Sequence, residues 1–489
     1  MTRDLVLAID QGTTGTTVLA VDKTLEVIAK ENREFRQIYP KPGWVEHALE
    51  DIWASTEATL AAVLAQVDAS RIAAIGITNQ RETVGLWERD TNKPIHNAIV
   101  WQCRRTADRC KALKDAGHEP RIRKKTGLVL DPYFSGTKAA WLLDEVEGAR
   151  KRAEAGDLAA GTIDTFLVWR LTGGAAHVTD VSNASRTMLC DLATLDWDDE
   201  LLGILDVPRA ILPSVRSCAE VYGTTKGVKG LPDGIPIAGM AGDQQAALFG
   251  QACFVPGEVK CTYGTGAFIL VNTGSELHHS STGMLTTVGW RIGDGQPTYA
   301  LEGAVFIAGA AVQWLRDGLE LFDSAPEIEA LAKSVPDSGD LVFVPALTGL
   351  GAPHWKPEAR GLISGITRDT TKAHLARATL EGIALSCHEV ITAMQQETGK
   401  LAQIRVDGGA AANDLLMQIQ ADLAGTEVVR PKMLETTAAG AAFLAGLGAG
   451  VFESQDAIRE AWREDRRFAP NAGAADHLLE KWRAAVPKA

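Results

Sequence analysis

The chain has 489 residues, of which 46% are hydrophobic and 23% charged, a globular composition that excludes a disordered protein. Its net charge of −13 disfavours binding to nucleic acid or to an anionic membrane through the overall field. Backbone N–H groups and a metal ion can still hold a phosphorylated ligand locally. The length predicts about three domains, or two large ones.

The cysteines and the apolar segments indicate the compartment. The seven cysteines are widely spaced and form no CxxC pair, which argues against a disulfide framework and a zinc site and favours a reducing cytoplasm. Residues 5–9 are too few for a signal-peptide core. The longest apolar stretch, 438–452, is shorter than the ~18 residues of a membrane span and predicts a buried helix. We expect a cytoplasmic protein with no stable membrane insertion.

The chain opens on a strand–turn–strand pattern. Residues 5–10 are typical of a buried strand, residues 11–15 combine Gly and Thr in a turn, and residues 16–21 are rich in β-branched side chains. A third strand at 26–31 and a helix at about 45–67 follow.

Charged and aromatic residues then follow predicted strands or turns. Arg81 and Glu82 come after a strand at 73–77, and such a pair can offer donors and an acceptor to vicinal hydroxyls. Trp101 follows another strand and Tyr133 lies on a proline turn, and aromatic rings over the carbon face of a small polyol would complete a pocket. Taken singly, the charged pair is typical of a solvated surface, and the aromatic residues are typical of packing.

Asp243 follows the apolar run 235–241. A carboxylate at the end of a strand can accept a proton from an alcohol and lie near a metal ion. In isolation the same pattern is also typical of a helix N-cap.

The strand–turn–strand pattern returns about 250 residues later, at 258–262, 263–267 and 268–271. This weak internal echo predicts two domains of related build, with a boundary near 250–257. Helices are predicted at 306–319, 371–396, 413–423 and 474–485, and a strand and glycine turn at 404–410. Strands that alternate with helices in both parts predict an α/β protein.

The sequence lacks a GxxxxGK[ST] phosphate loop and a convincing GxGxxG. The two Thr–Gly turns can perform the same task, since Thr13, Thr14 and Thr265 supply hydroxyls and the glycines let N–H groups approach a phosphate. Asp10, beside the first turn, can hold Mg²⁺. Each turn alone is typical of an ordinary hairpin, but the pair predicts an ATP cleft. The Arg104-Arg105 pair is interpreted as a helix surface feature.

Many ordered segments between residues 5 and 450 resemble the FGGY carbohydrate kinases, a family of the actin/Hsp70-like ATPase superfamily, and within it the members that act on glycerol. The segments are 10–14 (DQGTT), 41–46 (KPGWVE), 79–83 (NQRET), 101–106 (WQCRRT), 131–137 (DPYFSGT), 242–250 (GDQQAALFG), 263–266 (YGTG), 299–303 (YALEG) and 407–409 (DGG). The resemblance implies two ribonuclease-H-like α/β domains around a central cleft. Residues 1–250 would bind glycerol and residues 251–489 would bind ATP.

The resemblance also implies residue roles. Glycerol would be held by Arg81, Glu82, Trp101, Tyr133, Asp243, Gln244 and Phe268, with Asp243 as the general base. ATP would be held by Thr13, Thr14, Gly15, Thr265, Gly309, Gln313, Gly409 and Asn413, and Mg²⁺ by Asp10 and Asp243. The implied reaction converts glycerol and ATP into sn-glycerol 3-phosphate and ADP, in a homodimer or homotetramer.

The sequence departs from the family pattern in three places. Many relatives have an arginine where this chain has Thr17. Residues 226–236 contain no arginine of the kind that binds fructose 1,6-bisphosphate in enteric relatives, and no histidine lies between His177 and His278 for control by phosphorylation. Two alternative functions remain, namely a sibling FGGY kinase of a pentulose or another polyol, and a non-enzymatic ATP switch like actin or Hsp70. The switch would have no use for Arg81, Glu82 and Trp101.

Overall fold

The computed structural model describes residues 3–489. The strands of the first half (residues 5–250) are β1 (Leu5–Gln11), β2 (Gly15–Asp22), β3 (Val27–Glu34), β4 (Glu46–His47), β5 (Ile72–Asn79), β6 (Val84–Glu88), β7 (Ala98–Ile99), β8 (Leu158–Thr162), β9 (Val178–Asp180), β10 (Cys190–Asp191), β11 (Asp196–Trp197), β12 (Ser214–Arg216), β13 (Ala219–Thr224) and β14 (Pro236–Gly242). Its helices are α1 (Leu49–Leu64), α2 (Ala107–Asp115), α3 (Glu119–Thr126), α4 (Ser135–Glu145), α5 (Ala149–Glu154), α6 (Ile163–Leu171), α7 (Val181–Ala184), α8 (Asp199–Leu205) and α9 (Asp243–Gly250).

The second half (residues 259–489) has the same mixture of elements. Its strands are β15 (Val259–Tyr263), β16 (Ala267–Gly274), β17 (Leu285–Trp290), β18 (Thr298–Val305), β19 (Val342–Val344), β20 (Leu362–Ser364), β21 (Ile404–Asp407), β22 (Val428–Pro431) and β23 (Glu464–Phe468). Its helices are α10 (Gly309–Gln313), α11 (Glu327–Lys333), α12 (Lys372–Thr398), α13 (Asp414–Ala424), α14 (Thr436–Gly448), α15 (Gln455–Ala461) and α16 (Asp476–Ala485).

Each half is built on one large sheet. In the first sheet the strand order is β13-β14-β5-β1-β2-β3, and in the second it is β17-β18-β16-β15-β21-β22-β23. In both sheets an antiparallel pair (β1 with β2, β15 with β16) is followed by two parallel neighbours (β5 and β14, β21 and β22) and an antiparallel edge strand (β13, β23). The related build predicted from the repeated strand–turn–strand pattern is therefore confirmed.

Helix α14 belongs to the second half by sequence but packs on the first sheet. Its alanines are buried with Val6, Ala8 and Ala74 of β1 and β5. The approach to α9 is so close that a Cβ added at Gly250 or at Gly440 would overlap backbone carbonyl oxygens of the other helix. The buried helix predicted near 438–452 is confirmed, and its partner is the other half of the molecule.

Two predicted helices begin later than expected. Helix α1 begins at Leu49, because Glu46 and His47 form β4 and pair with β7. The helix predicted from 306 begins at Gly309 and continues as a π-helical turn, Trp314–Gly318. Of the helices in residues 3–489, none has both the length and the apolar character needed to cross a membrane.

Candidate active site

Arg81 and Glu82 follow β5, where the chain leaves the centre of the first sheet. Their exposed fractions are 2% and 1%, so the solvated-surface interpretation of this pair is wrong. Arg81 forms an ion pair with Glu302 of β18 through Nη1, and its Nη2 donates to the other oxygen of Glu302 at 3.0 Å. The charged pair is therefore buried between the two halves.

The guanidinium of Arg81 is surrounded by acceptors. Its Nη1 donates to Gln245 Oε1 at 3.3 Å, Nη2 donates to the Tyr133 hydroxyl at 3.3 Å, and Nε lies 3.2 Å from Asp243 Oδ1. Because each of its three nitrogen atoms already has a protein partner, an alcohol oxygen that contacts Arg81 must join or replace one of these contacts. Arg81 therefore orders the other site residues.

Glu82 lies beside a second buried arginine. Its Oε1 accepts from Arg186 Nε at 2.7 Å, and Arg186 Nη2 donates to Glu302 at 2.8 Å. Burial raises the pKa of Glu82 despite these two cations, Arg81 and Arg186. Glu82 has a φ of +60°, a left-handed conformation that costs about 1–3 kcal/mol in a non-glycine residue and persists only where its surroundings enforce it.

The aromatic residues form one contiguous wall. The ring centroids of Trp101 and Tyr133 are 5.7 Å apart, and those of Trp101 and Phe268 are 6.5 Å apart. Trp101 Nε1 donates to Thr13 Oγ1 at 3.0 Å, which ties the wall to the first Thr–Gly turn. Because Phe268 lies on β16, this wall is built from both halves.

Asp243 and Gln244 begin α9, directly after β14. The side chain of Asp243 is 29% exposed, and its Oδ1 accepts from the backbone N–H of Gln244 at 2.7 Å. Burial raises the pKa of the Asp243 carboxyl, although Arg81 and Lys260 oppose this change. Asp243 is the first residue of the helix and Gly242 is its N-cap, so the N-cap interpretation of Asp243 is wrong.

The first Thr–Gly turn follows the end of β1, which carries Asp10, the other predicted metal ligand. Gly12 N donates to Gly15 O at 2.9 Å, and Gln37 Nε2 donates to Thr13 O at 3.0 Å, so the turn is braced from both sides, and Thr14 at its tip is exposed. Burial and then the charge of Asp243 raise the pKa of Asp10 to about 7.

Thr17, which stands where many relatives have an arginine, lies in the hairpin of β1 and β2. Thr17 pairs with Asp10 across β1 and β2, and its hydroxyl accepts from Asn32 at 2.8 Å. Thr17 therefore stabilises the pairing of β2 with β3.

The second turn is braced by the start of α10. Gly264 N donates to Gly266 O at 2.9 Å, Gly309 N donates to Gly264 O at 2.9 Å, and Ala310 N donates to Thr265 O at 3.0 Å. Thr265 is exposed at the tip of the turn, and Gln313 is exposed at the end of α10. Thr265, Gly309 and Gln313 thus share one region of the second half.

The remaining predicted nucleotide residues follow β21. A Cβ at Gly408 would lie 2.5 Å from Tyr263 O, so this glycine turn packs directly on the end of β15, and exposed Gly409 is next to it. Asn413 caps α13, because its Oδ1 accepts from Leu416 N at 2.9 Å. The β21 turn therefore adjoins the second Thr–Gly turn.

Sequence reasoning missed three buried charged residues of this site, namely Arg186, Lys260 and Glu302. Each is 0% exposed. The sequence feature that could have indicated them is a charged residue inside an apolar strand, as Lys260 is in β15 and Glu302 is in β18. The Arg104-Arg105 pair was also misread, because Arg105 is stacked between Trp44 and Trp141 and paired with Glu46, while Arg104 pairs with Asp131.

The arrangement joins three kinds of chemistry. Arg81, Glu82, Gln244 and the aromatic wall can bind a small polyol, Asp243 can accept a proton beside it, and the two turns can approach phosphates. Burial and fixed charges of this kind favour phosphoryl transfer, which depends on alignment and on charge stabilisation.

The chain belongs to the FGGY family of carbohydrate kinases. The family's N-terminal domain matches residues 5–250 and its C-terminal domain matches residues 259–449. The predicted fold class, α/β with two domains of this kinase type, is therefore confirmed, as is the resemblance on which it rested.

The similarity extends to individual relatives. The chain is 62% identical to a glycerol kinase of Myxococcus xanthus over 490 residues, with 99% of each chain covered. Its structure is similar to that of Plasmodium falciparum glycerol kinase with ADP, at a TM-score of 0.93 and 36% identity over 100% of this chain and 98% of that one. A gluconate kinase from Lactobacillus acidophilus, 24% identical at a TM-score of 0.88 over 99% of this chain and 97% of that one, shares the fold.

Proposed function

We propose that this protein transfers the terminal phosphoryl group of ATP to glycerol, giving sn-glycerol 3-phosphate and ADP. The observation that carries the proposal is the aromatic wall of Trp101, Tyr133 and Phe268, which stands beside the buried Arg81 and the Asp243 carboxyl. A wall of this kind suits the carbon chain of a small polyol, and the charged groups suit its hydroxyls. The relatives named glycerol kinase support the same alcohol.

Asp243 is the proposed general base. Its carboxylate takes the proton of a terminal hydroxyl as that oxygen bonds to the γ-phosphorus, and the bond from the γ-phosphorus to the bridging oxygen breaks, so that ADP leaves with the electron pair. A raised pKa makes a carboxylate a stronger base, and burial raises the pKa of Asp243. Arg81 Nε, 3.2 Å from Asp243 Oδ1, holds the carboxylate in place.

ATP is proposed to lie between the two Thr–Gly turns. Thr13, Thr14 and Gly15 would approach the phosphates from the first half, and Thr265 would approach them from the second. Gly309, Gln313, Gly409 and Asn413 would contact the rest of the nucleotide. The support is that the second turn, α10 and the β21 turn are contiguous.

Asp10 and Asp243 fit a magnesium site. Asp10 lies near the end of β1 and Asp243 follows β14, at the same edge of the first sheet, and the charge of Asp243 raises the pKa of Asp10. A divalent cation between two such carboxylates relieves their repulsion. Mg²⁺ is usually held by one or two carboxylates together with substrate phosphates, and when bound it neutralises charge on the transferring group. Within residues 3–489, no group of three or more His, Cys, Asp or Glu is arranged to hold a metal ion.

A coupled assay of ADP release tests the proposal. Purified protein with Mg-ATP should turn over glycerol in clear preference to D-xylulose and D-gluconate. Turnover of a pentulose without turnover of glycerol would assign the chain to a sibling sugar kinase. Binding of ATP without turnover of any of the three alcohols would favour the ATP-switch alternative.

The proposed setting is the cytoplasm, in a homodimer or homotetramer. The support for a reducing compartment is that all seven cysteines are free and buried. Light scattering on the purified protein measures the oligomeric state.

A further inference from the structure

The second sheet presents two buried charges to the alcohol site. Lys260 of β15 is the register partner of Leu270, and Leu270 is the register partner of Glu302 on β18. Register partners on adjacent strands share a face of the sheet, so these three side chains form a row across it. The next row on that face is Thr262, Phe268 and Ala304, and Phe268 belongs to the aromatic wall. The charged row therefore faces the site.

We propose that Glu302 and Lys260 are positioning residues, which orient Arg81 and Gln244 of the first half for binding of the alcohol. The inference rests on the proposed function in that the bound molecule is an alcohol to be phosphorylated.

Glu302 determines where Arg81 points. The carboxylate binds both terminal nitrogens of Arg81 and also accepts from Arg186 at 2.8 Å. A buried guanidinium that loses its carboxylate must find another anion, and of the two neighbouring carboxylates Asp243 is nearer than Glu82, at 3.2 Å against 3.8 Å from Arg81 Nε. Without Glu302, Arg81 would turn towards Asp243 and occupy the position of the alcohol.

Lys260 determines which end of the Gln244 amide faces the site. Its ammonium donates to Gln244 Oε1 and, at 3.0 Å, to Thr262 Oγ1. An ammonium has donors only, so it fixes the oxygen of the amide towards itself and directs the Nε2 donors elsewhere. Gln244 is therefore oriented to donate to an alcohol oxygen. The buried Lys260 fixes this orientation by binding the amide oxygen.

Both contacts cross from the second half to the first. The alcohol-binding side chains of the first half are thus held by charges on the sheet that carries the second Thr–Gly turn. We therefore expect recognition of the alcohol to depend on how the two halves are docked, while the approach to ATP depends on the turns.

The test compares Glu302→Gln, Glu302→Asp and Lys260→Met with wild type. The alcohol used is the one that wild type phosphorylates best among glycerol, D-xylulose and D-gluconate, so a wrong assignment of the substrate is detected before the variants are measured. Calorimetry with glycerol gives a dissociation constant that does not depend on turnover.

Glu302→Gln and Lys260→Met should each raise the KM for the alcohol by about ten- to a hundredfold, as expected for loss of a charged hydrogen bond, and leave the KM for Mg-ATP within about threefold. Glu302→Asp, which keeps the charge, should recover part of the loss. If Glu302→Gln does not fold, Lys260→Met and Glu302→Asp decide the matter.

Glu397→Gln is the matched control. Glu397 is a buried carboxylate of the second half that accepts from Ser280, Ser281 and Thr282, outside the site. Its loss should lower the melting temperature and leave both KM values unchanged. The inference is overturned if Glu302→Gln and Lys260→Met behave like this control, or if they raise the two KM values in parallel.

Discussion

The two halves of the molecule share a strand order, but particular carboxyl groups in them have pKa values that are shifted in opposite directions. In the first half, burial raises the pKa of Asp10 and of Asp164 to about 7. In the second half burial has the same tendency, but Arg186 and Arg81 lower the pKa of Glu302 to about 2, and hydrogen bonds from residues 278–282 do the same for Glu397.

The difference shows that the partners of a buried acid, rather than burial itself, set its charge. In the first half burial dominates at Asp10 and Asp164, whose pKa rises to about 7, whereas Glu82 of the same half keeps Arg81 and Arg186 beside it. In the second half Glu302 is held as an anion by two arginines, and Glu397 is held as an anion by several hydrogen-bond donors. With Asp243 as the proposed base, the first half would supply proton transfer and Glu302 of the second half would supply fixed charge.

The largest expected effect is on the base. Asp243→Asn should lower kcat by about 10²–10⁴-fold, because the amide cannot take a proton. The side chain is partly exposed and the amide has the same shape, so the melting temperature should stay close to that of wild type. Asp90→Asn, at an exposed position after β6, is the control and should keep full activity. A near-normal kcat for Asp243→Asn would move proton transfer to another group.

The next effect concerns the pairing of charges between the halves. Arg81→Ala leaves Glu302 without one of its cations and should lower the free energy of unfolding by about 3–5 kcal/mol, together with a higher KM for glycerol. Arg104→Ala removes a partly exposed pair with Asp131 and should cost about 0–1 kcal/mol. Urea titration measures both, and equal losses for the two variants would contradict the comparison.

A third experiment compares alanine substitutions at the two glycines of the second Thr–Gly turn. A Cβ at Gly266 would lie 2.5 Å from Val305 O, whereas a Cβ at Gly264 has its nearest neighbour, Gly266 O, at 3.7 Å. Gly266→Ala should therefore lower the free energy of unfolding by about 1–3 kcal/mol and raise the KM for ATP, and Gly264→Ala should be close to neutral for stability. The reverse order would mean that the turn is not braced as described.

The smallest effect is a pH dependence of opposite sign in the two halves. Burial raises the pKa of Asp164 from its ordinary value of 3.8 to about 7, so its contribution to stability is full below about pH 3.8 and is lost as the pH rises through 7. Glu397, with its pKa lowered to about 2 from 4.5, contributes fully above pH 4.5 and loses its contribution as the pH falls towards 2.

Asp164→Asn should thus flatten the fall in melting temperature between pH 4 and 7, and Glu397→Gln should flatten the fall below pH 4.5. Melting curves from pH 3 to 8 give both slopes. The comparison between the halves is contradicted if both variants change the melting temperature in the same pH range.

Much of the fold could be predicted from local sequence patterns. Strand β1, the turn after it and their echo at β15 follow from alternating apolar residues and Thr–Gly turns, and α12 follows from its apolar face. Helix α1 was predicted too early, because pairing of β4 with a distant strand overrides the local helix pattern. The docking of α14 on the other half also depends on long-range contacts that a one-dimensional pattern does not contain.

The candidate site could be predicted from the sequence only in part, for a related reason. The resemblance placed Arg81, Asp243 and Trp101 together, and the geometry agrees with that grouping. Glu302 and Lys260 were missed, because a single charged residue in an apolar strand gives no indication of its partner on the opposite half. Roles for the predicted nucleotide and metal residues stay predictions until ligands are bound.

The packing of α14 on the first sheet has a consequence for dissecting the protein. A fragment that stops at residue 250 would expose the alanine-lined surface of β1, β5 and α9 to water and should aggregate. Two-fragment complementation, with one piece ending near 250 and the other starting near 257, should restore soluble protein only when the second piece carries residues 436–448. We therefore expect that neither piece is stable without the other.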